Sequence, residues 1–196
     1  MKGPIWRPSQ LLFYKSIIRV TPANTQWTRD MIDTLFFTGN FHGYLSQLVD
    51  GNHKPSSELF FHLEAYKKRS DVFAVCHTHS SYATTVSCVE SKLPPIHYII
   101  GYGGKEVPVV PYKRFGSKEL AFELGLKITD YNALLLANHG VITVGSTIHQ
   151  AYQTADAVEY VARIYCQAKA LGRANIIDEK EMEAVLHDFK SYGQNK

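Results

Sequence analysis

The chain has few cysteines and no strong charge of either sign. Its 196 residues include Cys76, Cys88 and Cys166, an odd number without close pairs, which argues against a disulfide framework. We therefore expect a reducing, cytoplasmic compartment. The formal net charge is only +3 and no run of Lys and Arg stands out, so the sequence predicts no nucleic-acid partner.

Long apolar stretches are also missing. No segment approaches the ~20 consecutive apolar residues that a membrane-spanning helix needs, and we expect no membrane partner. Residues 1–8 contain Pro4 and Pro8 and lack the apolar region of a signal peptide. A hydrophobic content of 45% and a charged content of 20% are typical of globular proteins, so we expect one domain over residues 1–196.

Predicted strands and helices alternate along the chain from about residue 55. The sequence predicts helices near residues 58–69, 81–89, 117–126, 148–171 and 179–189, with Ser117 capping the third, Gly172 ending the fourth and Asp178 capping the fifth. The predicted buried side of the fourth helix contains Ala151, Ala155, Val158, Ile164 and Tyr165. It predicts strands near residues 72–78, 96–100, 107–110, 133–137 and 141–144, with weaker candidates at 17–20, 34–37 and 44–49. This alternation predicts an α/β fold, in which helices surround a mixed or antiparallel sheet.

Three histidines have the spacing of a metal site. His77 and His79 lie at positions i and i+2 of a predicted strand and therefore point to the same side of a sheet, whereas Cys76 points to the opposite face and is interpreted as a small buried residue. His139 precedes Gly140 in a tight-turn context that can present its ring at a cleft. Three neutral imidazoles with an open fourth position suit a catalytic zinc ion, and we expect them to converge on one.

Four residues near the start of the first predicted helix each have two interpretations. Glu58 is either a helix-start carboxylate or, beside three histidines, a fourth ligand or a proton-transferring base. Ser56 and Ser57 are either simple helix caps or part of a phosphate cradle at a helix N-terminus. His62 lies four residues after Glu58; a Glu–His pair is one interpretation, and packing in the core is the favoured one.

Two tyrosines complete the candidate site. Tyr98 follows His97 on a predicted apolar strand, where most tyrosines belong to the core. Tyr192 lies in the polar tail formed by residues 190–193 and has no obvious core role. Four further histidines are interpreted as structural or exposed: His42, His53, His149 and His187.

These residues resemble the class II aldolase/adducin superfamily, and within it most closely the L-fuculose-1-phosphate aldolase branch. The resemblance covers roughly residues 18–194. It is carried by Lys54-Pro55-Ser56-Ser57-Glu58, His77-Thr78-His79, Pro95-Ile96-His97-Tyr98, Pro111-Tyr112 with Phe115-Gly116, Asn138-His139-Gly140 and Phe189-Lys190-Ser191-Tyr192-Gly193.

The resemblance implies a zinc-dependent aldolase that cleaves a ketose 1-phosphate into dihydroxyacetone phosphate and an aldehyde. It implies a four-fold homotetramer with active sites at the subunit interfaces. The implied zinc ligands are His77, His79 and His139, with Glu58 as an acid/base that leaves the metal when substrate binds. The other implied roles are phosphate binding by Ser56 and Ser57, proton exchange with the aldehyde-derived oxygen by Tyr98, and a contribution of Tyr192 to a neighbouring subunit's site.

The N-terminal segment departs from the family pattern. The sequence before Ile18 does not match, and the family's N-terminal helix and Gly-Asn-x-Ser loop, which supplies part of the phosphate site, are missing from residues 1–17. Two alternatives therefore stay open beside the aldolase. The first is a sugar-phosphate 4-epimerase or sugar-acid-phosphate decarboxylase with the same site, and the second is a non-catalytic adducin-like domain.

Overall fold

A mixed β-sheet forms the centre of the computed structural model, which describes residues 57–189 and the strand Ser16–Ile18. The strands are β1 (Ser16–Ile18), β2 (Ala74–Thr78), β3 (Lys92–Leu93), β4 (Val107–Val110), β5 (Ala133–Leu136) and β6 (Gly140–Gly145). Within this part of the chain their order is β1-β2-β6-β5-β4-β3. Strands β4 and β5 are parallel and the other neighbours are antiparallel, so the sheet is mixed, which is one of the two forms predicted.

Helices cover both faces of this sheet. They are α1 (Leu59–Lys68), α2 (Ser81–Val89), α3 (Lys118–Gly125), α4 (Ile148–Leu171) and α5 (Glu179–Phe189), with a 3₁₀ helix at Tyr98–Tyr102. Phe61 of α1 and Leu124 of α3 pack with Leu134 on one face. Val161 of α4 and Met182 of α5 pack on the opposite face, so the described part of the chain has three layers with apolar packing on each side of the sheet.

The helix boundaries follow the predicted capping residues. Ser117 accepts a hydrogen bond from the Leu120 N–H at 3.1 Å, and Asp178 accepts one from the Glu181 N–H at 2.9 Å. Gly172 ends α4 with a φ of 136°, a conformation that favours glycine. The predicted inner side of α4 is also confirmed, except that Ile164 is only half-buried: Ala151, Ala155, Val158 and Tyr165 are buried.

Two local predictions were wrong. Residues 96–100 do not form a strand, because the chain turns into the 3₁₀ helix when the His97 ring accepts a hydrogen bond from the Ile99 N–H. A short apolar run suits a buried helical turn as well as a strand, so periodicity alone could not separate them. Helix α1 begins at Leu59 with Glu58, not Ser57, in the N-cap position, and the Glu58 side chain makes no capping hydrogen bond.

Several predictions concern residues outside the described part of the chain. They include the strands at 34–37 and 44–49, the roles of Ser56 and Tyr192, and the altered N-terminal segment. Strand β1 overlaps the predicted strand at 17–20. A single domain over residues 1–196 stays a prediction. Among the described helices, none is both long and apolar enough to cross a bilayer.

Candidate active site and metal centre

His77 occupies the buried end of β2. It pairs with Ile142 of β6, and its Nδ1 atom lies 2.9 Å from the carbonyl oxygen of Val141. Because a carbonyl oxygen can only accept, Nδ1 carries the proton and Nε2 of the neutral ring presents a lone pair. Cys76 lies on the opposite face, packed with Ala151, and burial raises the pKa of its thiol to about 11. Cys76 therefore does not join the histidines, as predicted.

His79 follows β2 directly and lies at the exposed edge of the same group. Its Nε2 atom is 3.0 Å from Nε2 of His77, and the two ring planes are inclined by 80°. His77 is only 4% exposed whereas His79 is exposed. The group thus extends from the protein interior to solvent, which leaves a route for a small molecule.

The tight turn between β5 and β6 positions His139. Asn138 adopts a φ of 55°, and the His139 N–H donates to the carbonyl oxygen of Leu136 at 3.0 Å. A Cβ atom added to Gly140 would collide with the Thr78 carbonyl oxygen and lie 3.0 Å from the His79 ring. Glycine therefore lets β6 begin directly against the end of β2, with His139 beside the other two rings.

Glu58 joins the histidines from the N-terminus of α1. Its Oε2 atom is 2.9 Å from Nε2 of His77 and its Oε1 atom is 3.1 Å from Nε2 of His139. Burial raises the pKa of this carboxyl, but the adjacent imidazoles of His139 and His77 outweigh burial and hold the pKa well below 4.5. The resting group is therefore a carboxylate.

The four side chains fit a divalent metal ion. One ligand atom from each of Glu58, His77, His79 and His139 lies within 4.8 Å of the others. With the proton of His77 on Nδ1, the lone pair on its Nε2 atom faces a carboxylate oxygen of Glu58 at 2.9 Å and Nε2 of His79 at 3.0 Å. A cation between these electron-pair donors would stabilise the arrangement. Ligands around tetrahedral zinc lie roughly 3.4 Å apart, close to the observed separations. The donor set of three nitrogens and one oxygen is one that zinc prefers.

Ser57, just before α1, is exposed and lies against the loop that contains Phe115 and Gly116. Gly116 has a φ of +71°, and an added Cβ atom would lie 2.7 Å from the Ser57 carbonyl oxygen. This loop therefore packs closely on the start of α1. The contact brings together two motifs that lie far apart in the sequence.

The ring contacts of Tyr98 do not include the four metal-site residues. Its side chain is half exposed, and its ring contacts are with His97 and Phe189. It lines a cavity of about 770 Å³ whose wall also includes Tyr102, Tyr160 and Arg163. None of Glu58, His77, His79 and His139 lines that cavity.

Sequence reasoning missed one group of the site. The Val141 carbonyl that orients His77 is a backbone group and has no sequence signal.

His62 is completely buried and stacks on Phe61, so the favoured packing interpretation agrees with the structure. Among the described residues, neither of its ring nitrogens has a hydrogen-bond partner. Burial is the main cause that lowers its pKa to about 3.

Comparison with known proteins defines the class. The family model "Class II Aldolase and Adducin N-terminal domain" matches residues 18–166. This chain belongs to the class II aldolase and adducin family. Two curated relatives are aldolases of phosphorylated sugars, and a solved structure shares the fold.

The 5-deoxy-D-ribulose 1-phosphate aldolase of Bacillus thuringiensis serovar kurstaki is 41% identical over 148 residues, which cover 76% of this chain and 70% of that protein. The L-fuculose phosphate aldolase of Escherichia coli K12 is 37% identical over 153 residues, covering 74% of this chain and 71% of that protein. A solved L-fuculose 1-phosphate aldolase superposes with a TM-score of 0.71 at 39% identity, covering 72% of this chain and 67% of its own.

Proposed function

We propose that this protein is a zinc-dependent aldolase that cleaves a ketose 1-phosphate into dihydroxyacetone phosphate and an aldehyde. The observation that carries the proposal is the convergence of Glu58 with His77, His79 and His139. The relatives support the substrate class, because L-fuculose phosphate and 5-deoxy-D-ribulose 1-phosphate are both deoxy-ketose phosphates. We assign the protein to this class of substrate and not to one sugar.

The arrangement suits proton transfer at carbon next to a ketone. A divalent ion bound by the imidazoles supplies positive charge that stabilises negative charge on a substrate oxygen. In the synthetic direction, the Glu58 carboxylate removes a proton from C3 of dihydroxyacetone phosphate. The C3 electron pair then forms the new bond to the aldehyde carbon, and Tyr98 donates a proton to the former aldehyde oxygen. Cleavage is the reverse sequence.

Phosphate binding is assigned to the N-terminus of α1. Ser57 is exposed there, and the first N–H groups of a helix together with its dipole favour an anion. The phosphate-binding pair in the proposal is Ser56 and Ser57. The proximity of this helix end to Glu58 would place the phosphate and the reacting carbon of one small substrate within the same site.

Tyr98 and Tyr192 are assigned to the site of a neighbouring subunit. Tyr98 lines a cavity that includes none of the four metal-site residues, and this supports a role in the site of a second chain. Helix α5 ends at Phe189, whose ring is 6.4 Å from that of Tyr98, and Tyr192 follows three residues later. We therefore propose a homotetramer with active sites at its subunit interfaces.

A metal analysis combined with a cleavage assay tests the proposal. The zinc-loaded protein is incubated with L-fuculose 1-phosphate and with 5-deoxy-D-ribulose 1-phosphate, and release of dihydroxyacetone phosphate is measured. We expect one zinc ion per chain, and we expect at least one of the two substrates to release dihydroxyacetone phosphate. Epimerised substrate in this assay, or carbon dioxide released in a parallel incubation with a sugar-acid phosphate, would identify one of the alternative reactions. A stable protein with neither metal nor activity would support the non-catalytic alternative.

A further inference from the structure

His97 combines two contacts that meet at Tyr98. It occupies the N-cap position of the 3₁₀ helix, and its Nδ1 atom accepts a hydrogen bond from the Ile99 N–H at 3.2 Å. Its ring also stacks on the Tyr98 ring, with centroids 4.8 Å apart and planes inclined by 25°. The same side chain therefore fixes the backbone on both sides of Tyr98 and contacts the face of its ring.

Tyr160 of α4 supports the His97 ring from the side. The two centroids are 5.4 Å apart and the planes are inclined by 89°, an edge-to-face contact that aromatic rings favour. Tyr160 is part of the long helix that packs on the sheet, so His97 is linked to a rigid element. The stack can thus hold the Tyr98 ring relative to the sheet.

The Tyr98 ring would otherwise have considerable freedom. Its side chain is 49% exposed, and its other ring contact is the edge of Phe189 at 6.4 Å. A phenol that exchanges a proton with substrate must be held within hydrogen-bond reach of one substrate oxygen. A tyrosine at the surface needs neighbours that restrict its orientation, and His97 is the closer of the two ring partners.

We propose that His97 is a positioning residue for Tyr98, acting through the stacked ring and the hydrogen bond that sets the first turn of the 3₁₀ helix. The inference rests on the proposed aldolase function, in which the Tyr98 phenol exchanges a proton with substrate. Histidine suits both tasks because it combines a flat ring with an acceptor nitrogen. Asparagine retains an acceptor without the ring, whereas phenylalanine retains a ring without the acceptor.

Three variants separate the two contacts: His97→Asn, His97→Phe and His97→Ala. We expect His97→Ala to lower kcat roughly 10- to 100-fold, since a small misplacement of a reacting group has effects of that size. His97→Asn and His97→Phe each keep one of the two contacts, so their kcat values should lie between those of His97→Ala and the wild type. KM, zinc content and thermal stability should change little. In a Tyr98→Phe background, His97→Ala should cause little further loss, because the two changes remove one function.

Fluorine NMR of the protein with Tyr98 replaced by 3-fluorotyrosine reports the ring directly. We expect a shifted or broadened resonance in His97→Ala, with a smaller change in His97→Phe. An unchanged resonance, or an equal loss of kcat with and without the Tyr98 hydroxyl, would overturn the inference. If His97→Ala does not fold, His97→Asn and His97→Phe provide the same comparison.

The two proposals fail in different ways. If Tyr98→Phe retains wild-type turnover, the role of Tyr98 in the proposed function is wrong and the positioning role of His97 falls with it. If Tyr98→Phe is impaired while all three His97 variants retain wild-type kcat, the proposed function stands and only the role of His97 is wrong.

Discussion

The Nδ1 atom of His77 lies 2.9 Å from the carbonyl oxygen of Val141 on the neighbouring strand. This contact turns Nε2 of His77 towards Glu58 and His79, at 2.9 Å and 3.0 Å. The orienting group is backbone, so the strand pairing itself fixes the ring. Metal-binding histidines commonly have such a partner on their other nitrogen, which holds the tautomer required for ligation.

Replacement of His77 should release the metal. We expect His77→Ala to weaken zinc binding by at least about 100-fold, because loss of an outer partner alone can weaken it 10- to 100-fold. Zinc content after reloading and desalting, measured by mass spectrometry, checks this. The matched control is His149→Ala, since His149 is exposed and lies outside the cluster. Equal zinc retention in both variants would contradict the assignment.

Glu58→Gln should separate metal binding from proton transfer. The amide keeps the shape of the side chain but cannot act as a base, so we expect cleavage to slow by ~10²-fold or more while zinc remains bound. The assay is release of dihydroxyacetone phosphate at matched zinc content. Glu119→Gln, at an exposed position of α3, is the control for loss of a carboxylate. Wild-type rates in Glu58→Gln would remove Glu58 from the mechanism.

Gly140→Ala tests the close approach of β6 to β2. The added methyl group would collide with the Thr78 carbonyl oxygen and approach the His79 ring. We expect the free energy of unfolding to fall by roughly 1–3 kcal/mol and zinc affinity to fall with it. Gly172→Ala is the control, because its added Cβ meets no atom within 4 Å and acts only through the positive φ. That variant should lose some stability but keep its zinc affinity; equal zinc affinity in the two variants would contradict the prediction.

His62 should make the fold less stable in acid. Its folded pKa is about 3, below the ordinary 6.5, so between these values the unfolded chain binds a proton that the folded chain excludes. The stability is full above pH 6.5 and falls as pH decreases towards 3, by at most about 1.4 kcal/mol per pH unit for this one proton.

Denaturant unfolding at several pH values, in the presence of a chelator, measures this contribution. His62→Leu removes the titrating group from its buried position and should give a shallower decline than wild type below pH 6.5. His149→Gln removes an exposed histidine and should retain the wild-type slope. Identical slopes in all three proteins would show that His62 does not exclude the proton.

The C-terminal tail should matter for turnover but not for folding. Removing residues 191–196 deletes Tyr192, and we expect unchanged folding and zinc content with turnover reduced by roughly 10²-fold. Removing only residues 194–196 keeps Tyr192 and should preserve turnover. The expected loss of turnover requires Tyr192 to act in the site of a neighbouring subunit. The oligomeric state of the wild-type protein is therefore measured by analytical ultracentrifugation alongside the assay. A monomer that is fully active would contradict the shared-site assignment of Tyr192.

The sequence by itself determined most of the described helices and strands and the histidine pattern. Strand alternation placed His77 and His79 on one side and Cys76 on the other, because successive side chains of a strand point to opposite faces. The capping chemistry of Ser117 and Asp178, and the glycine at 172, located helix ends that local interactions control. Each of these predictions depends on residues within a few positions of one another.

Only the tertiary structure decided how the distant segments meet. Antiparallel pairing of β2 with β6 sets His77 opposite Ile142, and the packing of α1 on the sheet brings Glu58 to the same point. The 3₁₀ helix after His97 likewise replaced an expected strand, since a short apolar run is compatible with either form. The His77–Val141 contact joins residues 64 positions apart, a separation over which local propensity carries no information about register.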